Sequence, residues 1–580
     1  MSYTVEKNVQ ILISLLKQYH IRKVIASPGT KNISFIGSIQ KDPDFELYSA
    51  PDERSAAYMA CGMAAESGEC VCLSCTGATA SRNYISGLTE AYYRKLPVIA
   101  ITSTVPSCYI GHNMDQVIDR RAQLNDMTVF SAQIPIVRCD LDQWACEIAV
   151  NRALIAAGRN GGGPVHLNVE TEIDRDFSAK ELMKARKIDW YSYDDEDRFP
   201  RLNEHRIGIF VGNHGVMSEE LQNEITRFCE IHDAVVFCDQ TSNYFGPYRV
   251  VPSIVMKQDH YRTKLLDLDL LIHIGNTSGS QFRFHAAEVW RVNPDGEIRD
   301  TFLKLKAVFA VSELFFFRHY AEGTEGAEKK HACLDEWNRE LDHFYSLLPE
   351  LPFSNLYAAK EMIRRIPEGS TIHLGILNSL RSWDYFDHEI HCNAFCNTGG
   401  FGIDGILSSL IGSAIVRPDS IHFGVIGDLA FFYDMNSLGN RHVPNNIRIL
   451  LINNGRGVEF RKYSHPGYAF GDDADLYMAA GGHYGRQSPE LVKHYVQDLG
   501  FLYLSASDKE QFHANLERFV DPSESEQPIV FELFVDYHND NDALKLMNNL
   551  ERNNSRDAKS FARNLVGKEG IRLLKKVLDR

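Results

Sequence analysis

Two short segments place oxygen ligands at the ends of apolar, strand-like runs. Gly427-Asp428-Leu429 closes the run FGVIG, and about 26 residues later Asn453-Asn454-Gly455 closes RILLI. Ligands of open parallel sheets bind beyond the carboxyl ends of the strands, so both side chains are expected in one crevice. A carboxylate, an amide oxygen and a nearby backbone carbonyl suit Mg2+, which takes about six oxygens and completes its shell with waters and substrate phosphates. Glycine amides and helix N-termini at these turns would cradle the phosphates. A GD turn alone is as readily an aspartate capping the next helix; the second turn is what points to chemistry. Glu53 stands after the run FELYSA, at the start of an alanine-rich helix, where by itself a glutamate serves the helix dipole.

The elements that must position these groups follow an α/β rhythm. The first 180 or so residues alternate VIAS, FELYSA, CVCLSC and PVIAITS with helical patterns, as in parallel βαβ units. The acidic, aromatic, aperiodic KIDWYSYDDEDRFPR reads as a linker. A second rhythm carries RIGIFVG, AVVFCD and LLIHIG; a third carries TIHLGI, CNAFCN, SIHFGVIGD, RILLINN and IVFELFVD. We therefore expect three doubly wound parallel-sheet α/β domains over 1–185, 203–350 and 351–545, with a linker over 186–202. Residues 546–580 read as a basic, amphipathic helical extension, packed on its own domain, on a second subunit or on a membrane surface.

Composition narrows the class. Of 580 residues 44% are hydrophobic and 24% charged, as in a soluble globular protein. The net charge of -16 would repel a phosphate backbone, so small metabolites rather than nucleic acid are the expected ligands. No run of eighteen uncharged apolar residues occurs and MSYTVEKNVQ lacks a signal-peptide pattern, so a cytoplasmic location without membrane spans is expected. The twelve cysteines lack zinc-site spacing and read as reduced core residues. No GxGxxG opens a helix after a strand, which argues against a nicotinamide or flavin.

The paired turns resemble the cofactor motif of the transketolase and acetolactate synthase superfamily, which uses thiamine diphosphate and Mg2+. Leu429 stands where that motif usually has a glycine. The resemblance implies Asp428, Asn454 and the backbone carbonyl of Arg456 as metal ligands. It also implies that Glu53 hydrogen-bonds the aminopyrimidine ring and so activates the cofactor. The order of Ser27-Pro28-Gly29-Thr30, Cys75-Thr76-Gly77-Ala78-Thr79-Ala80, Asn397-Thr398-Gly399, Gly402-Ile403-Asp404-Gly405 and Gly427-Asp428-Leu429-Ala430 is similar to one subfamily. These are the menaquinone-pathway synthases, which join a succinyl semialdehyde unit to isochorismate. The similarity runs from Ile21 to about Lys545, and implies pyrimidine-binding, central and diphosphate-binding roles for the three domains. It further implies cofactor contacts from Ser27, Gly29, Thr76, Gly77, Gly402, Ile403, Asp404, Gly427 and Leu429. Ile403 either props the cofactor into its bent shape or is an ordinary core isoleucine. Gln116, in IGHNMDQVID with Asp115 in place of the usual Asn, either faces the substrate or is a polar turn residue.

Thr30, Lys31, Ser379, Thr398 and Arg456 fall at substrate-facing positions, and here the pattern breaks. The subfamily binds carboxylate-rich substrates with arginines and lysines. Thr30-Lys31 keeps one charge but not the planar fork, and Thr398 replaces an arginine. Trp383 stands where an arginine follows Asn378-Ser379-Leu380. Ser280-Gln281 replaces a Lys-Arg pair, with Arg283 nearby, and Thr104-Val105 replaces the arginine before the Gln116 loop. Each lost charged contact costs on the order of 1.5 to 3 kcal/mol, so different substrates are expected, a less anionic acceptor such as a sugar among them. Arg456, Glu459, Arg461 and Lys462 either bind a new polar substrate or form a solvated loop face. His112 and His465 are acid-base candidates or structural. The expected activity is decarboxylation of a 2-oxoacid donor and transfer of its acyl anion to an acceptor. The alternatives are a plain decarboxylase and a non-catalytic cofactor-binding relative. A homodimer or homotetramer is implied, each cofactor lying between the first domain of one subunit and the last of another.

Overall fold

The computed structural model describes residues 2–203, 206–322, 329–387, 391–483, 488–523 and 526–551. They form three parallel sheets with helices between the strands, an α/β architecture. The chain groups into two compact units: the stretch up to Glu196 with Gly296–Ala310, and Asp197–Asp295 with the chain from Val311 onward.

In the first unit the strands are β1 (Lys23–Ala26), β2 (Glu46–Ser49), β3 (Val71–Cys75), β4 (Val98–Thr104), β5 (Phe130–Ile134) and β6 (Val165–Glu170), in the order β2-β1-β3-β4-β6-β5. Every residue of β3, β4 and β6 is buried, because helices cover both faces of a parallel sheet and leave no solvent face to be polar. The chain winds one way from β1 to β2 and the other way from β3, so the ends of β1 and β3 flank the topological switch. Ser27-Pro28-Gly29 leaves β1 there and Thr76-Gly77 leaves β3. The segment read as aperiodic linker holds a short strand, β7 (Asp189–Tyr191), paired in parallel with β13 (Leu305–Phe309) of the same unit.

The second unit holds β8 (Ile207–Val211), β9 (Val235–Cys238), β10 (Arg249–Val250), β11 (Asp267–Ile274) and β12 (His285–Val292), with the run β10-β9-β8-β11-β12. It also holds β14 (Thr371–Leu374), β15 (Asn393–Phe395), β16 (His422–Gly427), β17 (Ile447–Asn453), β18 (Leu502–Ala506) and β19 (Ile529–Phe534), in the order β15-β14-β16-β17-β19-β18. Here the switch lies between β14 and β16. The helix Ile406–Val416 lays Leu407, Leu410, Ile411 and Ala414 against β16 and β17. A Cβ at Gly424, in the middle of β16, would stand 2.7 Å from Leu410 Cδ2, so the helix packs this close on a glycine and a side chain there would displace Leu410.

All twelve cysteines are free, and seven of them are buried. Desolvation pushes the Cys75 thiol up to about 12. Among the described residues no helix is long and apolar enough to cross a membrane. Of the extension expected from residue 546, only the part up to Glu551 lies among the described residues.

Candidate active site

Asp428 follows β16 and Asn454 follows the neighbouring β17, whose register sets Gly427 opposite Ile452. Asp428 opens the short helix Asp428–Asp434, with Gly427 in the cap position and no cap bond from a side chain. Asp428 is thus the first residue of that helix rather than its cap. Burial pushes its carboxyl up to about 7, against the pull of the Leu429 and Gly455 backbone amides and with a smaller contribution from Glu532. Asn454 donates its Nδ2 to Asp540 Oδ2 at 3.1 Å, and Asp540 Oδ1 accepts the Asn355 amide at 2.7 Å. The amide is thereby oriented, and Asn454 Oδ1 is left buried without a partner among the described residues. Gly455 turns with φ +72, a conformation natural to glycine. A buried carboxylate and an orphaned amide oxygen on adjacent strand ends fit a hard cation such as Mg2+. Asp540, 86 residues from Asn454, escaped the sequence reading because helix Tyr537–Met547 shows only an ordinary amphipathic pattern.

The charged loop after Asn454 is neither solvated nor free. Arg456 pairs with Asp475 and stacks its guanidinium 3.8 Å above the Tyr537 ring. Arg461, buried, bonds the Gly471 carbonyl, Asp472 at 2.8 Å and the Tyr537 hydroxyl at 3.1 Å. Glu459 accepts from Arg381 Nη1 and from Lys462 Nζ, both at 2.7 Å. His465 accepts the Gly467 amide on its Nδ1 and packs edge-on against Phe460.

Three other predicted groups come to the same sheet. A Cβ at Gly402 would stand 2.3 Å from Asp404 Oδ1, so the aspartate folds back over the glycine. Ile403 packs, partly buried, against the core cluster under β16 and β17. Thr398 and Ser379 are buried at 4% and 3% exposure. Trp383 is fully buried, a core residue rather than a pocket residue. Leu377 takes φ +70, strained for a branched side chain, just before Asn378, whose Oδ1 is buried and unpartnered.

A cavity of about 1000 Å³ opens beside this loop. Asn378, Arg381, Val458, Glu459, Lys462 and Asp540 line one side, and Lys257, Gln281 and Arg283 another. Lys257 bonds the Arg381 carbonyl at 3.1 Å, lies over the Tyr385 ring, and is pulled down to about 8 by burial. Sequence reasoning missed Arg381 and Lys257: only folding sets Arg381 against Glu459 and Lys257 against the Arg381 carbonyl.

In the first unit, Glu53 opens the helix Glu53–Ser67, but Asp52 is the cap, accepting the Arg54 amide at 3.2 Å. With the helix end already served, the half-buried Glu53 carboxylate accepts Asn83 Nδ2 at 3.1 Å. The loops after β1 and β3 touch closely: a Cβ at Gly29 would lie 2.5 Å from Thr76 Cβ. Ser27 donates to the Ala50 carbonyl at 2.8 Å. Thr30 is exposed, as are Gln116 and His112, and Gln116 takes φ +54. The buried Lys31 donates Nζ to the Gln116 carbonyl at 2.7 Å, and its amide faces Thr76 Oγ1 at 3.4 Å.

Residues 7–123 match the family model described as the thiamine pyrophosphate enzyme N-terminal TPP binding domain. Among curated proteins, the chain is 29% identical to the 2-succinyl-5-enolpyruvyl-6-hydroxy-3-cyclohexene-1-carboxylate synthase of Bacteroides thetaiotaomicron, over 94% of this chain and 98% of that one. It is 27% identical to the synthase of the same name from Desulfotalea psychrophila, over 89% and 96%. With that of Flavobacterium johnsoniae it shares 25% identity over 91% and 95%.

Proposed function

Because the chain belongs to the thiamine-pyrophosphate-dependent enzymes, we propose that it decarboxylates a 2-oxoacid and transfers the resulting acyl anion to a small acceptor. Mg2+ would be held by Asp428, Asn454 and the Arg456 carbonyl. When bound, the cofactor supplies the electron sink that allows carbon dioxide to leave. The chain's own part is to hold and orient. Asp540 aims the Asn454 oxygen, and Gly402, Ile403, Asp404, Gly427 and Leu429 border the space beside the metal turns. In the first unit Glu53, with Asn83 as its partner, is the carboxyl that hydrogen-bonds and activates the cofactor ring. Ser27, Gly29, Thr76 and Gly77 form the loop surface near it.

The observation that carries this reading is the buried, unpartnered Asn454 Oδ1 on the strand end next to Asp428. A polar atom desolvated without a partner costs about 1 to 3 kcal/mol, and a cation there removes that cost. Carboligation rather than simple decarboxylation is supported by the cavity beside the metal loop, which offers an acceptor room, and by the relatives' names as synthases. Different substrates from those relatives are supported by Trp383 and Thr398, which leave no guanidinium at two expected positions, and by the new set Lys257, Arg381, Glu459 and Lys462. We also propose that two copies of the chain complete each site, which sedimentation of active enzyme tests: a fully active monomer would overturn it.

Calorimetric titration of metal-free protein with thiamine diphosphate and Mg2+ tests the cofactor site. Wild-type protein is expected to bind only when the metal is present, and Asp428→Ala to lose more than about a hundredfold in affinity. A carbon-dioxide release screen over 2-oxoacids then identifies the donor. Absence of metal-dependent binding by the wild type would refute the site.

A further inference from the structure

Two lysines of the second unit that line the cavity beside the metal loop are held differently. Lys462 donates to Glu459 at 2.7 Å, so its charge is balanced. Lys257 caps the end of the short helix Ser253–Met256, is half-buried and lines the same cavity. Its ammonium donates to the Arg381 carbonyl at 3.1 Å and lies 4.5 Å from the centre of the Tyr385 ring. Among the described residues Lys257 forms no ion pair with a carboxylate.

The charges that face it come from several elements. Arg381, on the helix Asn378–Trp383, and Lys462, just after the short helix Val458–Arg461, disfavour the ammonium, while Asp384 and Asp239 favour it. Both acids are engaged elsewhere. Asp384 accepts the Gln240 amide at 3.0 Å and the Ser280 hydroxyl, and Asp239 accepts the Thr241 amide at 2.7 Å and the Ser278 hydroxyl. Burial, with the two cations, therefore outweighs them and holds Lys257 at about 8. At pH 7 about a tenth of such an amine is uncharged, against less than about a thousandth of an ordinary lysine.

The backbone here is fixed from two sides. Gln258, the next residue, donates Nε2 to the Ile254 and Met547 carbonyls, both at 2.7 Å, and accepts the Leu550 amide at 2.9 Å. The Asp259 amide donates to the Asn548 carbonyl at 2.8 Å. A side chain anchored in this way at a cavity wall is presented in one place, as a reacting group must be.

A desolvated amine beside other cations is the arrangement that makes a lysine nucleophilic toward carbonyl carbon. We propose that Lys257 is a carbonyl-reactive amine, and that the cavity takes an aldehyde or ketone and holds it there as an imine. The uncharged Nζ adds to the carbonyl carbon, a C=N bond replaces the C=O bond, and the oxygen leaves as water with the two amine hydrogens. That this carbonyl compound is the acceptor rests on the function proposed above; that Lys257 forms an imine does not.

The test treats full-length protein, without cofactor or metal, with butyraldehyde and cyanoborohydride, which reduces an imine to a stable secondary amine. Peptide mass spectrometry then gives the labelling rate of each lysine. At pH 7 Lys257 is expected to label about tenfold or more faster than the exposed Lys264, which lines the same cavity. Its rate should level off above about pH 8, and should saturate as the aldehyde concentration is raised. Labelling no faster than that of Lys264, a rate that climbs through pH 8 without levelling, or one proportional to aldehyde throughout would overturn the proposal. Since thiamine diphosphate and Mg2+ are left out, such a failure leaves the cofactor site to be judged by its own titration.

Discussion

The charged groups around the two halves of the candidate machinery are treated in opposite ways. In the second unit the cations of the metal loop are satisfied internally: Arg456 by Asp475 and Tyr537, Arg461 by Asp472 and Tyr537, Lys462 and Arg381 by Glu459. In the first unit Arg120 and Lys31 are buried and, among the described residues, their side chains donate to carbonyl oxygens without a carboxylate partner. A buried charge with its counter-charge beside it is stabilised within the fold; one that meets only neutral carbonyls carries an uncompensated desolvation cost. Position in the sequence does not distinguish them, because Arg456 and Arg461 stand next to the metal turn and Arg120 does not.

The comparison can be broken at several points. The largest effect is expected at Glu53, whose carboxylate accepts from Asn83. Glu53→Gln should lower turnover by about 10² to 10⁴, the range for a lost proton-transfer group, while calorimetry shows cofactor binding retained. Equal loss of binding would make Glu53 a structural residue. Next is Asp540→Asn, which removes the acceptor that orients Asn454. Magnesium affinity should fall by about 10- to 100-fold, as for other groups behind a metal ligand; an unchanged affinity would show that the turn orients itself.

A smaller effect of another kind is expected at Arg461. Arg461→Met removes a buried cation that holds Gly471, Asp472 and Tyr537 together, and should cost about 1 to 3 kcal/mol in denaturant unfolding. The KM for an anionic substrate should stay as it was. A raised KM with unchanged stability would place Arg461 on the ligand side of the comparison.

Much of the architecture could be read before folding. The strands that are continuous apolar runs, such as β3, β8, β16 and β17, stand out because burial on both faces demands them. Others were invisible for a physical reason. β6, VHLNVE, buries His166 and Asn168, which are satisfied by Thr102 and, in turn, by Ser131 and Gln133. Polar residues satisfied within the sheet look like loop residues in a sequence. At the site, the two turns were legible because each sits at the end of a strand. Asp540, Arg381 and Arg120 were not, since their roles depend on contacts made by the fold: Arg381 meets Glu459 across 78 residues. The arginine expected near Thr104-Val105 illustrates the point. The sequence lacks it, yet Arg120 brings a guanidinium to the carbonyl of Ser103, the next residue.

Asp384 also departs from that pattern within the second unit, as an acid buried beside another acid. Its Oδ1 accepts the Gln240 amide at 3.0 Å and its Oδ2 the Ser280 hydroxyl, while Asp239 adds a like charge and Lys257 and Arg381 oppose it. Burial first, and then Asp239, push its carboxyl from 3.8 up to about 7. The folded chain thus keeps a proton that the unfolded chain releases above about pH 4. Its contribution is fully present below that pH and is lost as pH rises through 7. Asp384→Asn keeps an acceptor for the Gln240 amide and cannot ionise. Relative to wild type it should therefore gain stability between pH 5 and pH 8, by about 1 kcal/mol once weakened support for the Lys257 ammonium is allowed for. Parallel unfolding midpoints across that range would mean that Lys257 compensates Asp384 fully, and the pair would then join the satisfied charges of the loop.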